Sequence, residues 1–233
     1  MFTNYWRFDE HMNNLSRIVQ LQAPKSSGRG FTYRIPGGLP AKAESVLEKL
    51  STIDELMSKL HNQSPTDEEQ RHLGKARNAV QHDLLCLRPW EELQDSERLD
   101  HTMAMYECCR LTSLIYSNAI VFPLPLNSGW HRILLKRLRS LFELSRVDTW
   151  TESEDASAVA LWSLYIGAMG AYDTRCKQWF QDSVRQLVKQ DHAKYQSYTD
   201  LEAVFRDFLW TDAACGLGGR VVWADLRTCL RDS

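Results

Sequence analysis

The sequence lacks the short motifs that mark the common catalytic and metal-binding sites. It contains no C-x-x-C pair, no H-E-x-x-H, no G-x-x-x-x-G-K-[ST] loop and no G-x-S-x-G elbow. Gly28-Arg29-Gly30 begins like a dinucleotide-binding turn, but Tyr33 stands where the third glycine belongs. We therefore expect a protein that is not an enzyme and that needs no cofactor or metal.

An excess of charge of either sign is also missing. The chain has 28 Lys and Arg against 30 Asp and Glu, a formal net charge of −2. Proteins that hold nucleic acid through its phosphates usually carry a clear basic excess. This balance predicts no direct sequence-specific DNA binding by this chain.

The sequence has no hydrophobic run of the length that a membrane helix requires. The uncharged and mostly apolar stretch 156–172 has 17 residues and contains two serines and two glycines, whereas a membrane span needs about 20 apolar residues. A helix that is apolar on all sides favours the centre of a helical bundle. We expect no membrane insertion.

The cysteines form neither a disulfide framework nor a metal cluster in the sequence. No secretory signal precedes them, so reduced thiols and an intracellular protein are expected. His101, Cys108 and Cys109 lie close together, but Met105 occupies the position where a second ligand on that helix face would stand. Six cysteines are scattered along the chain, at Cys86, Cys108, Cys109, Cys176, Cys215 and Cys229.

What the sequence does have is a nearly continuous helical periodicity of apolar residues, without useful β-alternation. It predicts an all-α fold, a single multi-helix bundle of about eight to nine helices over 1–233. Its parts are a loop over 24–40, a helical hairpin over 41–88 and a helical core over 96–233. Helices are predicted over 5–21, 96–121, 130–147, 159–169, 174–189 and 200–210, and a glycine-rich turn (Gly216, Gly218, Gly219) precedes a last helix from Arg220.

Local patterns sharpen this prediction. The two legs of the hairpin each carry an apolar stripe, one at Val46, Leu50, Ile53, Met57 and Leu60, the other at Leu73, Ala76, Val80 and Leu84. The 62–65 segment is the expected turn between them. The apolar stretch Phe208 to Trp223 is expected in the core. Capping boxes, in which a hydroxyl and a carboxylate satisfy free amides at a helix start, are predicted at Thr66/Glu69, Thr151/Glu154 and Thr199/Glu202.

Two groups of residues are candidate sites. The helix over 130–147 turns leucines inward and presents a basic face, for which solvated surface, phosphate contact and an acidic protein partner are open interpretations. This face consists of Arg132, Lys136, Arg137 and Arg139. Trp162 and Tyr165 are candidates for lining a hydrophobic effector pocket. An acidic run after Trp90, formed by Glu91, Glu92, Asp95 and Glu97, is expected to be a solvated loop or, alternatively, an activation segment.

Four segments, in order, resemble the fungal-specific transcription factor domain, a regulatory region usually fused to a zinc binuclear cluster. The segment 11–19 (HMNNLSRIV) resembles the family's H-x-x-G-L-x-x-M-V, with Asn14 in place of the glycine. The segment 161–168 (LWSLYIGA) is similar to L-W-x-L-F-x-G-G, and 179–185 (WFQDSVR) to W-F-x-x-x-L. Phe208-Leu209-Trp210, Cys215, Gly219 and Val222-Trp223 resemble the closing F-L-W…C…G-x-x-L-W pattern.

The resemblance implies a helical regulatory domain in nuclear transcription, acting through a protein partner, a full-length paralogue or a small-molecule effector. The family's DNA-binding module needs six cysteines within about thirty residues, and the scattered cysteines here cannot form it. The expected location is the nucleus, with the cytoplasm open. Two alternatives remain open, namely a helical scaffold recruited as an enzyme of secondary metabolism for a hydrophobic substrate, and a truncated, non-functional regulator.

Overall fold

The computed structural model describes residues 30–35, 39–61, 66–93, 100–121, 129–145, 150–171, 175–191 and 193–231. These residues form helices and no strand, which confirms the predicted all-α fold. After a helical turn, Gly30–Tyr33, come eight helices: α1 Ala41–His61, α2 Asp67–Leu85, α3 His101–Tyr116, α4 Gly129–Leu144, α5 Glu154–Gly170, α6 Lys177–Gln190, α7 Tyr198–Phe205 and α8 Asp212–Arg231. The predicted helix over 5–21 and the turn over 62–65 lie outside the described residues.

Helix α5 is the centre of the core. It is apolar on all sides, almost all of its residues are buried, and it packs against α3, α4, α6, α7 and α8. Close approach of α6 requires Gly167, because a Cβ there would overlap the ring of Phe180. None of the described helices is both long enough and apolar enough to cross a membrane.

The predicted hairpin is present as α1 and α2, which pack against each other. Val46, Leu50 and Ile53 on α1 are buried, as are Ala76, Val80 and Leu84 on α2. Met57 and Leu73 are partly buried against the core, and the side chain of Leu60 lies outside the described residues. Over the described residues, the predicted stripes are the faces that meet the core. The hairpin packs on α3 and α8 and closes one side of the bundle.

One of the three predicted capping boxes is confirmed, and two are wrong. Thr66 and Glu69 cap α2 reciprocally. Helix α5 is capped by Ser153, whose hydroxyl accepts from the Ala156 amide at 3.1 Å, and not by Thr151. Helix α7 begins two residues earlier than predicted because Ser197 forms the capping box with Asp200. In both cases two residues with hydroxyl groups lie close together in the sequence, and the wrong one was predicted to be the cap.

The glycine-rich turn predicted at 216–219 is also wrong, because α8 runs without a break through these residues. Gly219 allows close packing, since a Cβ there would lie 2.5 Å from the Tyr198 hydroxyl and 2.9 Å from the Trp210 ring. The predicted loop over 24–40 likewise contains the helical turn Gly30–Tyr33. In this turn the Gly30 amide donates to the Asp207 carbonyl at 2.7 Å, and Phe31 is fully buried.

The helix predicted over 200–210 ends at Phe205, and an irregular segment leads into α8. Phe208, Leu209, Trp210 and Val222 are buried, and Trp223 packs against them from the edge. The prediction that this stretch belongs to the core is confirmed.

Candidate partner-binding surface

Helix α4 packs one side against the core and leaves a mixed apolar and basic side outside. The predicted inward leucines are buried with Phe142, and a ring nitrogen of His131 lies 3.2 Å from the Gly170 carbonyl oxygen. Burial lowers the pKa of His131. These contacts fix the rotation of α4 about its own axis, so they determine which residues face outward.

Three large apolar side chains on α4 are exposed instead of buried. Trp130 is 45% exposed, Ile133 50% and Leu144 70%. Positions 130, 133, 137, 140 and 144 are spaced three and four apart, so they form one stripe along the helix. Other exposed large apolar side chains in the described chain are Tyr33, Leu85, Leu217 and Val221, which lie outside α4.

The predicted basic residues lie beside and within this stripe. Arg132, Lys136 and Arg137 are exposed, and Arg139 is half-buried. We call the surface formed by Trp130, Ile133, Leu144 and these four basic residues the α4 outer face.

The four basic residues differ in what they contact. The Arg137 guanidinium donates to Glu91 at 3.1 Å, and that of Arg139 donates to Glu143 at 2.7 Å. Arg139 also lies over the Trp179 ring at 5.3 Å. The Glu143 hydrogen bond raises the pKa of Arg139. Arg132 and Lys136 form no ion pair with any described residue.

Glu91 belongs to a short 3₁₀ turn, Trp90–Glu92, that is held firmly on α3. The Trp90 amide donates to the Glu107 carboxylate at 3.3 Å, and the Tyr106 hydroxyl donates to the Arg88 carbonyl at 2.6 Å. Glu107 accepts two bonds of 2.7 Å from the buried Arg110. These two charge-assisted bonds offset part of the cost of burying both charges. The turn therefore presents Glu91 to Arg137 from a fixed position.

Trp162 and Tyr165, the predicted effector-pocket residues, are both fully buried in an aromatic cluster. The Trp162 ring stacks on Phe208 at 5.0 Å, and its indole N–H donates to the Leu209 carbonyl at 3.1 Å. The Tyr165 hydroxyl donates to the Gly219 carbonyl at 2.6 Å. Neighbouring side chains and carbonyls thus satisfy both residues without a ligand.

A second group of polar residues is buried where α1, α3 and α8 meet. The Tyr116 hydroxyl donates to one Asp54 oxygen at 2.6 Å, and the other Asp54 oxygen has no hydrogen-bond partner among the described residues. Burial raises the pKa of Asp54 to about 7. The Cys215 thiol lies beside Tyr116, and burial raises its pKa to about 12. Sequence reasoning missed this group, because its members come from three distant segments.

The described residues contain no group of three His, Cys, Asp or Glu side chains that could hold a metal ion. Cys108 and Cys109, considered with His101, are fully buried, and burial raises the pKa of Cys108 to about 12. A polar surface cleft of about 510 Å³ lies between the start of α5 and the end of α6. Neither Trp162 nor Tyr165 lines it.

No protein-family model, no curated protein and no solved structure matches the chain significantly. The resemblance to fungal-specific transcription factor domains therefore stays a prediction. Three of its four segments meet in the core of this structure, through the contacts of Trp162 with Leu209 and Phe208 and of Gly167 with Phe180. The segment 11–19 lies outside the described residues, as do Asp95 and Glu97 of the acidic run. Contacts within a core stabilise the fold and do not by themselves indicate a function.

Sequence reasoning identified the basic residues of the α4 outer face but missed its apolar ones. Trp130, Ile133 and Leu144 do not belong to the inward stripe of leucines. They are spaced three and eleven residues apart, which places them together on the opposite side of the helix. This spacing is the signal that the sequence contains.

Proposed function

We propose that this chain is a non-enzymatic, regulator-like domain that acts through a protein partner bound to the α4 outer face. The observation that carries the proposal is the exposure of Trp130, Ile133 and Leu144 along one stripe of a firmly packed helix. Exposed apolar side chains grouped together on a polar rim are typical of protein-interaction sites. Tryptophan and arginine are also the side chains that most often dominate binding energy at such sites.

The proposed setting is transcription in the nucleus, and the resemblance of the sequence segments supports it. The chain would reach promoters through its partner, since it lacks the clustered cysteines of the family's DNA-binding module. A protein partner fits better than a small-molecule effector, because the aromatic residues expected to line an effector pocket are packed against the chain's own side chains.

A reporter assay tests this proposal. The full chain, fused to an unrelated DNA-binding domain, is expected to raise or lower transcription of a reporter that carries the matching sites. The double substitution Ile133→Glu/Leu144→Glu is expected to abolish the effect, because it places charges in the apolar stripe. Both positions are at least half exposed, so the substitutions leave the core intact.

Leu217→Glu is the matched control, since Leu217 is 82% exposed and lies on α8. It is expected to keep the full effect. Each variant is compared with the parent by circular dichroism and thermal melting. A reporter that does not respond to the parent fusion, or that responds equally to the α4 double variant, would contradict the proposal.

A further inference from the structure

The α4 outer face also indicates what kind of partner it binds. Building on the proposed function, we propose that the partner segment is an acidic amphipathic helix whose carboxylates are recognised by Arg132 and Lys136.

Two of the four basic residues of the α4 outer face are already paired within the chain. Arg137 and Arg139 already hold carboxylates of this chain, Glu91 and Glu143. Arg132 and Lys136 are exposed and carry no ion pair within the described chain, so their charges are open to a partner. The electrostatic selectivity of the face therefore rests on two of its four basic residues.

Arg132 and Lys136 are neighbours on the surface of α4. They stand four apart on one helix, so they lie one turn apart on the same side. A partner helix with carboxylates one turn apart presents the complementary pattern. Beside them, Trp130, Ile133 and Leu144 form the apolar stripe that covers the partner's own apolar residues. Recognition of a helix through anchors spaced by three, four and seven residues is a recurrent mode of peptide binding.

A nucleic acid duplex and a second copy of this chain match the α4 outer face less well. A nucleic acid duplex would find only two uncommitted cations here, too few for substantial counterion release, and its phosphates would leave the apolar stripe uncovered. A second copy of this chain, paired through the same face, would bring Arg132 and Lys136 into a surface that carries the same cations. An acidic protein segment satisfies both the cations and the apolar side chains.

The test is a fluorescence anisotropy titration of the full chain with a labelled synthetic helix of about 18 residues, or five turns. This Glu peptide carries leucine along one face and glutamate beside it. In the Gln peptide and the Lys peptide, glutamine or lysine replaces every glutamate. We expect the Glu peptide to bind, and the Gln and Lys peptides to bind progressively more weakly.

Arg132→Gln/Lys136→Gln is expected to weaken Glu-peptide binding by about tenfold, since an exposed ion pair contributes a factor of up to about five. Arg132→Glu/Lys136→Glu reverses the charge at both positions and is expected to bind the Lys peptide more tightly than the parent does. Two control variants, Glu68→Gln/Arg71→Gln and Glu154→Gln/Lys194→Gln, each remove an ion pair that lies outside the α4 outer face and leave the net charge unchanged. They are expected to keep the affinity for the Glu peptide within about twofold, given the small contribution of exposed pairs.

Equal binding of the Glu and Gln peptides, or unchanged affinity in the Arg132→Gln/Lys136→Gln variant, would overturn the inference. Binding of a 20-base-pair DNA duplex through Arg132 and Lys136 would also overturn the inference, and it would indicate a phosphate ligand. Self-association that Ile133→Glu abolishes, measured by sedimentation velocity, would do so in favour of a second copy. The reporter assay tests the proposed function separately. An active parent fusion that depends on Ile133 and Leu144, together with a negative peptide result, rejects only the partner's chemistry.

Discussion

The buried carboxyl group of Asp54 predicts that the stability of this protein decreases as pH rises from acid to neutral. Asp54 is 1% exposed, it accepts one hydrogen bond from Tyr116, and no described cation pairs with it. Burial in these surroundings raises the pKa of Asp54 from its ordinary value of 3.8 to about 7. In the unfolded chain the same group has its ordinary pKa.

The direction of the change in stability with pH follows from the number of protons bound to the folded and the unfolded state. Below about pH 4 the carboxyl is protonated in both states, and the full stability is present. Between about pH 4 and 7 the unfolded chain releases the proton while the folded chain keeps it, so folding becomes progressively less favourable. The gap between the two pKa values corresponds to a loss of about 4 kcal/mol, a large share of the 5–15 kcal/mol of a typical domain.

The assay is urea unfolding followed by tryptophan fluorescence, repeated across about pH 4 to 8, for the parent and for Asp54→Asn. The asparagine keeps the shape of the side chain and cannot ionise. The free energy of unfolding of the variant, minus that of the parent, is expected to rise by about 4 kcal/mol across this range. Taking the difference cancels other titrations, including that of His131, whose lowered pKa acts in the opposite direction.

Glu92→Gln removes an exposed carboxylate and controls for the change in net charge. If the stability curves of the parent and of Asp54→Asn run parallel from about pH 4 to 8, then Asp54 is ionised in the folded protein and the reasoning from burial fails.

Two further predictions concern Gly219, which was predicted to lie in a turn, and Ser197, which was not predicted to cap α7. Gly219→Ala is expected to lower the free energy of unfolding by about 1–3 kcal/mol, because the new Cβ meets the Tyr198 hydroxyl and the Trp210 ring. Gly74→Ala in α2 is the control, because a Cβ there would meet no neighbouring atom, and a gain of about 0.5–1 kcal/mol is expected. Ser197→Ala is expected to cost about 1 kcal/mol through loss of the α7 cap, whereas Thr199→Ala is expected to change stability by less than half of that. Equal effects at the two positions, measured by urea unfolding, would show that α7 does not start where the structure places it.

The sequence was sufficient to predict the fold class and the inward faces of the helices. The spacing of apolar residues can be read within a single helix, and the side that carries them is the side that is buried. Val46, Leu50 and Ile53 on α1 are an example. Helix ends were harder to predict, because Ser197 and Thr199 offer equivalent hydroxyls and packing decides between them. The continuity of α8 was missed because glycine is common both in turns and at close contacts between helices. Only the positions of Tyr198 and Trp210 show that Gly219 is at a close contact.

The candidate surface was predictable in part. The four basic residues of α4 could be read from the sequence, because charges four apart share a helix face. The pairing of Arg137 could not be read from the sequence, since its partner is Glu91, 46 positions away. The Asp54–Tyr116 contact joins residues 62 positions apart, and neither residue carries a local signal of it.

The helical turn Gly30–Tyr33 has a consequence for the order of events during synthesis. Phe31 contacts the rings of Trp162 and Phe208, and Arg34 pairs with Asp155 and Asp207. Tyr165 in turn bonds to Gly219. The turn therefore has no complete docking site until the segment around Phe208 has left the ribosome. Contacts of such long sequence separation slow folding, and we expect the turn to dock late, after α1 to α5 have been synthesised.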